Sequence, residues 1–186
     1  MQVVGGKARG IKLKGAVTAG TRSTTGRVRA AIFNILQEEL YQDGRALDLF
    51  AGSGSLGIEA LSRGAAWADF VEWDRRQCRV IQTNLESTGF DSVARVHCTD
   101  VNRSLATLDG QYQVVLLDPP YALQDLDELL ESIAGTPELV AAGGMVVAGH
   151  SRFLDLRSGY GSLRRVGFRR YGDNVVEFYQ RESEEW

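Results

Sequence analysis

Cysteine is scarce in this chain, and long apolar runs are missing. The two cysteines, Cys78 and Cys98, are too few for a disulfide framework and are not spaced like a zinc site. No apolar run approaches the ~20 residues that a membrane span requires, and the first ten residues lack the pattern of a secretory signal. We therefore expect a protein of the reducing cytoplasm, with no bound metal and no membrane span. A monomer is the expected state, although nothing in the sequence determines it.

Acidic residues are absent from the first 37 positions, which carry seven basic side chains. The remaining residues, 38–186, include 14 basic and 24 acidic side chains, so they carry a net charge of −10. A basic segment on an acidic body is typical of nucleic-acid binding. A second basic group lies between Arg152 and Arg170, where a solvated surface and a further nucleic-acid contact both remain open.

The length of 186 residues predicts one compact unit, and the pattern after Arg45 predicts its class. Strands are expected at ALDLF, ADFVE, VARVHC, QVVLL and GMVVAGH, with helices between them, which indicates a parallel sheet covered on both faces. Residues 162–181 are expected to form an antiparallel hairpin. The predicted fold is therefore α/β and Rossmann-like, with a mostly parallel seven-stranded sheet. Residues 1–42 are expected to form a basic extension of a domain spanning residues 43–186.

Within this extension, VV-GGKARG-IKLK predicts two short strands joined by a glycine-rich turn. Thr24 or Thr25 can cap a helix that continues to about residue 40, because apolar residues recur there at spacings of three and four. Arg27 and Arg29 lie off this apolar stripe. We therefore expect both arginines to face a ligand.

A glycine-rich loop follows the first predicted strand. Gly52, Gly54 and Gly57 match the pattern G-x-G-x-x-G, in which glycines permit a tight turn and bring a ligand close to a helix N-terminus. Glu72 ends the next strand, 20 residues after Gly52, which is the spacing expected for a carboxylate that holds ribose hydroxyls. The loop therefore predicts a nucleoside-bearing cofactor, either a dinucleotide or S-adenosylmethionine (SAM).

Asp48 favours SAM, because a carboxylate there would repel a pyrophosphate and attract an ammonium group. After the third strand, Asp100 can receive the adenine amino group or cap a helix. Trp73 can cover the adenine or pack against the protein. The expected cofactor-binding residues are Asp48, Phe50, Gly52, Ser53, Gly54, Glu72, Trp73, Asp100 and Val101.

The motif Asp118-Pro119-Pro120-Tyr121 follows the buried strand QVVLL. Two prolines end the hydrogen-bond ladder and leave a rigid edge of carbonyl oxygens beside a carboxylate. Asp118 and the Pro119 carbonyl can accept both hydrogens of an exocyclic amino group, so that its lone pair points at a sulfonium methyl. Tyr121 can stack on a base that has left its helix. These four residues are expected to be catalytic and to lie at the same sheet edge as the glycine loop.

These motifs resemble those of class I SAM-dependent methyltransferases. The chain is similar along nearly its whole length to the RsmD family of 16S rRNA guanine-N2 methyltransferases, through GGKARGIKLK, TRSTTGRVRAAIFNIL, LDLFAGSGSLGIEALSRGA, FVEWDRRQ and LLDPPY. The resemblance implies SAM as cofactor and a guanine of the small ribosomal subunit as target, with ribosomal proteins bordering the site. The chain departs from the family pattern at Ser23, Gly26 and Ala30. The resemblance also implies rRNA contacts by Lys7, Arg9, Lys12, Lys14, Arg22, Arg27 and Arg29.

The identity of the base stays open on chemistry alone. Guanine presents two adjacent donors that match a carboxylate, but adenine fits the same edge when only its amino group is held. An adenine-N6 methyltransferase acting on DNA or RNA is therefore the main alternative, followed by a NAD-dependent oxidoreductase and a non-catalytic RNA-binding module. His97 is expected to be a packed or edge histidine, and His150 ends a strand near the substrate without further support for a role there.

Overall fold

The structure is a computed structural model that describes residues 1–16, 24–120, 122–123 and 125–183. In this part of the chain, eight strands form one sheet, in the order β3-β2-β1-β4-β5-β8-β7-β6. The strands are β1 (Arg45–Leu49), β2 (Trp67–Glu72), β3 (Ala94–Cys98), β4 (Tyr112–Leu117), β5 (Val140–Ser151), β6 (Gly159–Tyr160), β7 (Leu163–Tyr171) and β8 (Asn174–Arg181). The α-helices are α1 (Gly26–Ile35), α2 (Glu38–Tyr41), α3 (Ser55–Ser62), α4 (Arg75–Thr88), α5 (Val101–Leu105) and α6 (Leu126–Ala134).

The predicted α/β fold is confirmed. Strands β1 to β5 pair in parallel, and β8 joins β5 antiparallel as one arm of the expected hairpin. The sheet has eight strands rather than seven, because Gly159 and Tyr160 pair with the start of β7. Two residues are too few to show an alternation pattern, so β6 could not be predicted from the sequence.

The order of the strands reverses at β1, which lies between β2 and β4. The connections from β1 lead away to β2 and β3 on one side, whereas β4 and β5 extend the sheet on the other. In open α/β sheets, ligands bind at the carboxyl ends of the strands next to such a reversal. The fold therefore places the ends of β1 and β4, with the residues that follow them, at the expected ligand crevice.

The N-terminal elements differ in detail from their prediction. The expected two-stranded ribbon is reduced to one isolated bridge between Gln2 and Lys12, because the intervening loop folds onto α3 instead of extending the ladder. Helix α1 begins after the cap Thr25 and ends at Ile35, before residue 40. Leu36 takes an extended conformation and is buried, and this turn allows the Tyr41 ring to pack edge-on against Phe33, with centroids 5.7 Å apart.

Residues 1–16 pack on the α/β body. The Glu59 carboxylate in α3 accepts the backbone N–H groups of Val4 and Gly5, at 2.9 and 2.8 Å. Val3 and Leu13 belong to the same buried apolar cluster as Phe70 in the sheet. The segment thus shares its core with the body, and the boundary between residues 42 and 43 stays a prediction.

Within the described ranges, no helix combines the length and the apolar character needed to cross a bilayer. The same residues contain no group of three or more His, Cys, Asp or Glu side chains suited to a metal ion. His97 Nε2 lies 2.8 Å from Asp69 Oδ1, so this histidine has the packed role that the sequence predicts.

Candidate methyl-transfer site

The glycine loop makes a sharp turn between β1 and α3. Phe50 has a φ of 59°, and Gly52 and Gly54 have φ values of 56° and 78°. Positive φ is strained for phenylalanine and free of strain for glycine, so the turn concentrates backbone strain at Phe50. A Cβ atom on Gly57 would lie 2.4 Å from the Phe70 ring. The third glycine is therefore required because α3 packs closely on β2.

Asp48 is buried at the centre of this turn, where only 1% of its surface is exposed. Its Oδ2 atom accepts a hydrogen bond from the Gly57 N–H at 2.8 Å. Burial raises the pKa of Asp48 well above its ordinary value, the Gly57 bond opposes that rise, and the nearby charges of Asp118 and Glu72 add to it. A cationic ligand group beside Asp48 would relieve this unfavourable environment. The methionine end of SAM has that chemistry.

Glu72 joins the glycine loop to the next strand. Its carboxylate accepts the N–H of Gly52 at 2.9 Å through Oε2 and the N–H of Asp74 at 3.0 Å through Oε1. A carboxylate has about four acceptor positions, so these bonds leave capacity for ribose hydroxyls. Asp100 caps α5 by accepting from Asn102 N at 2.9 Å, and it also lines the cavity, so the two roles left open for it are compatible.

The remaining predicted cofactor residues occupy different environments. Val101 is buried behind Asp100, and the Ser53 carbonyl accepts a hydrogen bond from Asn84 Nδ2 at 2.9 Å. Trp73 also lines the cavity and is 72% exposed, so its ring is not packed into the core. An exposed indole beside the cavity is able to cover a nucleobase there. Of these residues, Trp73 lines the cavity and Val101 does not.

The Asp-Pro-Pro edge lies in the same crevice. Asp118, Pro119 and Pro120 follow β4 and line a cavity of about 500 Å³ together with Gly52 and Glu72. Asp118 also lines an adjoining cavity of about 30 Å³ with Asp48, Phe50 and Ser53. The structure therefore brings the glycine loop and the Asp-Pro-Pro edge together, as the strand order requires. Tyr121, the fourth predicted catalytic residue, lies outside the described residues.

Three residues at this cavity were not predicted to belong to the site, although Thr24 was a candidate helix cap. The Thr24 hydroxyl donates a hydrogen bond to Asp118 Oδ2, and His150 and Asn174 line the cavity from β5 and β8. Within the described residues, His150 Nε2 and Asn174 Oδ1 are buried without a hydrogen-bond partner, although His150 Nε2 lies 3.4 Å from the Glu177 carboxylate. Buried polar atoms without a partner are rare, so Asn174 Oδ1 indicates a place where a ligand can supply the bond, whereas His150 Nε2 has the Glu177 carboxylate within ion-pair distance.

Most of the predicted RNA-contacting side chains are exposed. This holds for Lys7, Arg9, Lys12, Lys14 and Arg27. Arg22 lies outside the described residues. The expectation that Arg29 faces a ligand is wrong, because its side chain is only 1% exposed.

Arg29 instead holds the N-terminal segment in place. It donates to the carbonyl oxygens of Thr24 and Gln2, both at 2.7 Å, and its Nε atom lies 4.0 Å from Glu59. Burial lowers the pKa of Arg29, and the Glu59 charge opposes that change. The apolar stripe of α1 led to the wrong environment for Arg29, because residues 1–16 cover the face of α1 on which this arginine lies.

The strand order, the strained glycine turn and the acidic crevice define a class I methyltransferase fold. A family model described as Conserved hypothetical protein 95 matches residues 1–180. YlbH of Bacillus subtilis is 35% identical over 184 residues, which cover 97% of this chain and 99% of that protein. Ribosomal RNA small subunit methyltransferase D of Escherichia coli is 38% identical over 130 residues, 70% of this chain and 65% of that protein.

A solved structure extends this likeness to three dimensions. The hypothetical protein TTHA0928 of Thermus thermophilus is 36% identical and has a TM-score of 0.81, with 96% of this chain and 98% of that chain covered. The chain belongs to the matched family, which is the RsmD family of methyltransferases. The family predicted from the sequence motifs is therefore confirmed.

Proposed function

We propose that this protein transfers a methyl group from SAM to the exocyclic N2 amino group of a guanine in the 16S rRNA of the small ribosomal subunit. The observation that carries the proposal is the shared cavity, in which the Asp118-Pro119-Pro120 edge lies beside the Gly52 loop. The chain is also similar to a named small-subunit rRNA methyltransferase. Of the described residues, the basic side chains exposed near the N-terminus provide the surface on which RNA would dock.

The methyl donor is SAM, in agreement with the predicted cofactor. When bound, it supplies a methyl group activated by a sulfonium. Asp48 would attract its ammonium group, Glu72 would hold the ribose hydroxyls, and Asp100 would accept from the adenine amino group. Trp73 would cover the adenine ring. A cavity of about 500 Å³ lies within the usual size range of sites that hold ligands such as a nucleoside cofactor.

Asp118 and the Pro119 carbonyl would orient the target amine. A ring-attached amino group is a weak nucleophile because its lone pair is delocalised into the base. Two acceptors that hold its two hydrogens favour a pyramidal nitrogen, whose lone pair then faces the methyl group. The nitrogen becomes acidic as it gains the methyl, so no strong general base is required. The base must leave its helix to reach this edge, and Tyr121 would stack on it.

Asn174 favours guanine over adenine at the target position. Its buried Oδ1 atom, which lacks a partner within the described residues, adds an acceptor to those of Asp118 and Pro119. Guanine offers N1–H and N2–H as adjacent donors, whereas adenine places an acceptor next to its amino group. With its Oδ1 atom facing the base, Asn174 would accept the N1–H of guanine, whereas against adenine the same atom would meet the N1 acceptor and that bond would be lost.

The reaction would take place in the cytoplasm, where the protein acts as a monomer on RNA bordered by ribosomal proteins. The test is nucleoside mass spectrometry after incubation of the protein with SAM and small subunits from a strain that lacks the corresponding methylation. The proposal predicts N2-methylguanine in the 16S rRNA. Formation of N6-methyladenine instead would support the adenine alternative, and the absence of any methylated product would contradict both.

A further inference from the structure

An exposed surface with both positive charge and aromatic rings lies on the C-terminal hairpin and the segment after β5. It consists of Arg152, Phe153, Phe168, Arg169 and Arg170, and we refer to it as the hairpin surface. Along β7, Phe168 and Arg170 point to one face of the sheet and Arg169 to the other, so this surface wraps around the hairpin. The Phe153 side chain is 80% exposed and that of Phe168 is 57% exposed. Single exposed apolar side chains are ordinary, but two phenylalanines together with three arginines on the hairpin and the segment that is bonded to its turn favour a binding surface.

The charge of the hairpin surface is only partly neutralised. Arg152 Nε pairs with Asp173 Oδ1 at 2.9 Å. Arg169 donates to the Phe168 carbonyl at 2.8 Å, and Arg170 donates to the Gly172 carbonyl at 3.0 Å. Within the described residues, no carboxylate lies within 4.0 Å of either guanidinium. Both arginines therefore retain their full charge for a partner.

Other arginines of β7 show that pairing with a carboxylate is available on this strand. Arg164 pairs with Glu182 at 3.2 Å, and Arg165 pairs with Glu177 at 3.1 Å. Charged residues on an outer strand also prevent strands of different molecules from pairing. That protective role accounts for arginines, but it does not account for exposed phenylalanines beside them. Exposed arginines together with exposed phenylalanine rings favour a ligand that has both anionic groups and flat aromatic faces.

The hairpin surface begins at the rim of the candidate methyl-transfer site. Arg169 lies opposite Val176 and Arg170 opposite Val175 in the β7–β8 register, and both valines line the 500 Å³ cavity. The Arg152 N–H donates to the Asp173 carbonyl at 2.9 Å, which fastens the segment after β5 to the hairpin turn. A polymer whose reacting unit enters the cavity would therefore continue over this surface.

The ring of Phe153 is already held in a stacking arrangement. The Arg152 guanidinium lies over it, 4.6 Å from the ring centroid. Such a pair offers a flat face, on which a base can stack, next to a positive charge. The arginines and rings together match the phosphates and bases of unpaired RNA.

We propose that the hairpin surface binds the single-stranded RNA that flanks the target nucleotide. Arg169 and Arg170 contact its phosphates, and Phe153 and Phe168 stack on its bases. This inference rests on the proposed function, because it takes RNA as the substrate. It adds a second RNA contact, at the opposite end of the chain from the basic N-terminal segment.

The test measures RNA binding directly, without methyl transfer. The dissociation constant of a fluorescently labelled, unpaired fragment of 16S rRNA is determined by anisotropy at several salt concentrations. The variants are R169E/R170E and F153A/F168A. The control is R79E/R95E, which makes the same charge change at exposed arginines on α4 and on β3, the outermost strand at the other edge of the sheet.

We expect R169E/R170E to weaken RNA binding by about tenfold or more and to reduce the salt slope by about 1.4, since each lost single-strand phosphate contact accounts for about 0.7. F153A/F168A should weaken binding by about fivefold or more with the salt slope unchanged. The control should stay within about twofold of wild type. Binding of S-adenosylhomocysteine should be unchanged in all three variants, which shows that they are folded.

Three results would overturn the proposal. The first is an unchanged dissociation constant in R169E/R170E, and the second is a loss equal to that of the control. The third is unchanged binding of the free RNA together with weaker binding of intact small subunits, which would assign the surface to a protein partner. Failure of the proposed function is distinguishable, because a different methylated nucleoside would leave these binding results intact.

Discussion

The Thr24 hydroxyl donates a hydrogen bond to the carboxylate of Asp118, 94 residues further along the chain. Arg29 holds the Thr24 carbonyl at 2.7 Å, and the backbone of residues 4 and 5 is bound to Glu59 in α3. The N-terminal segment is thus connected to the candidate catalytic edge by a chain of polar contacts. The segment therefore contributes to the candidate methyl-transfer site as well as to the exposed basic side chains near the N-terminus.

Replacement of Arg29 by methionine should lower the free energy of unfolding by about 3 kcal/mol, because it removes one member of a buried charged network and leaves Glu59 less compensated. The control is Arg27→Met, since Arg27 is an exposed neighbour on α1 and should change stability by less than about 0.5 kcal/mol. Urea denaturation measures both. RNA binding should show the reverse order, with the larger loss at Arg27. Equal destabilisation by the two variants would contradict the buried role of Arg29.

Asp48→Asn should stabilise the cofactor-free protein at neutral pH and weaken cofactor binding. Burial raises the pKa of Asp48 in the folded state. As the pH rises, Asp48 therefore ionises first in the unfolded state. The folded protein loses stability until the pH passes the raised pKa of Asp48. Asparagine does not titrate, so the stability gain should grow from about pH 4 upward.

The measurements for Asp48→Asn are urea midpoints over a pH series and calorimetry with SAM. Affinity for SAM should fall by about tenfold, because a charge-assisted contact to the ammonium group is lost. Wild type should bind S-adenosylhomocysteine and not NAD. A variant that is less stable than wild type at pH 8, or that binds SAM as tightly, would refute the assignment of Asp48.

Gly57→Ala should destabilise the protein by about 1–3 kcal/mol through overpacking, because the added methyl group would lie 2.4 Å from the buried Phe70 ring. Gly15→Ala is the matched control, since no atom lies within 4 Å of a Cβ built there. Thermal unfolding compares the two. If Gly57→Ala unfolds at the temperature of the control, close helix–strand packing is not the reason for this glycine.

Asn174→Ala should reduce kcat/KM for the guanine substrate by about tenfold, as expected for the loss of one hydrogen bond to the target base. Affinity for S-adenosylhomocysteine should be unchanged, since two strands separate β8, which carries Asn174, from β1, which leads into the glycine loop. Asn102→Ala, at an exposed position on α5, serves as the control. Steady-state kinetics with small subunits as substrate measures this change. An unchanged kcat/KM would contradict a role of Asn174 in recognising the base.

The sequence predicted those parts of the molecule that depend on local pattern. The alternation of strands and helices gave the α/β fold, and the glycine spacing and the two prolines placed Gly52 and Asp118 at one edge of the sheet. The two-residue strand β6 and the end of α1 at Ile35 escaped prediction, because they depend on pairing and burial against distant residues. Thr24, His150 and Asn174 were missed for the same reason, since their proximity to Asp118 arises only when β5, β8 and the N-terminal segment pack together.

The most direct test of the central claim is the rate of methyl transfer in a single turnover by Asp118→Asn, with Asp109→Asn, an exposed position, as control. Asparagine keeps the shape of Asp118 but replaces one acceptor oxygen by a donor, so it cannot hold the amine in the same way. We predict a rate about 10²–10³-fold below wild type, with unchanged binding of RNA and S-adenosylhomocysteine. A rate equal to that of the control would contradict the account.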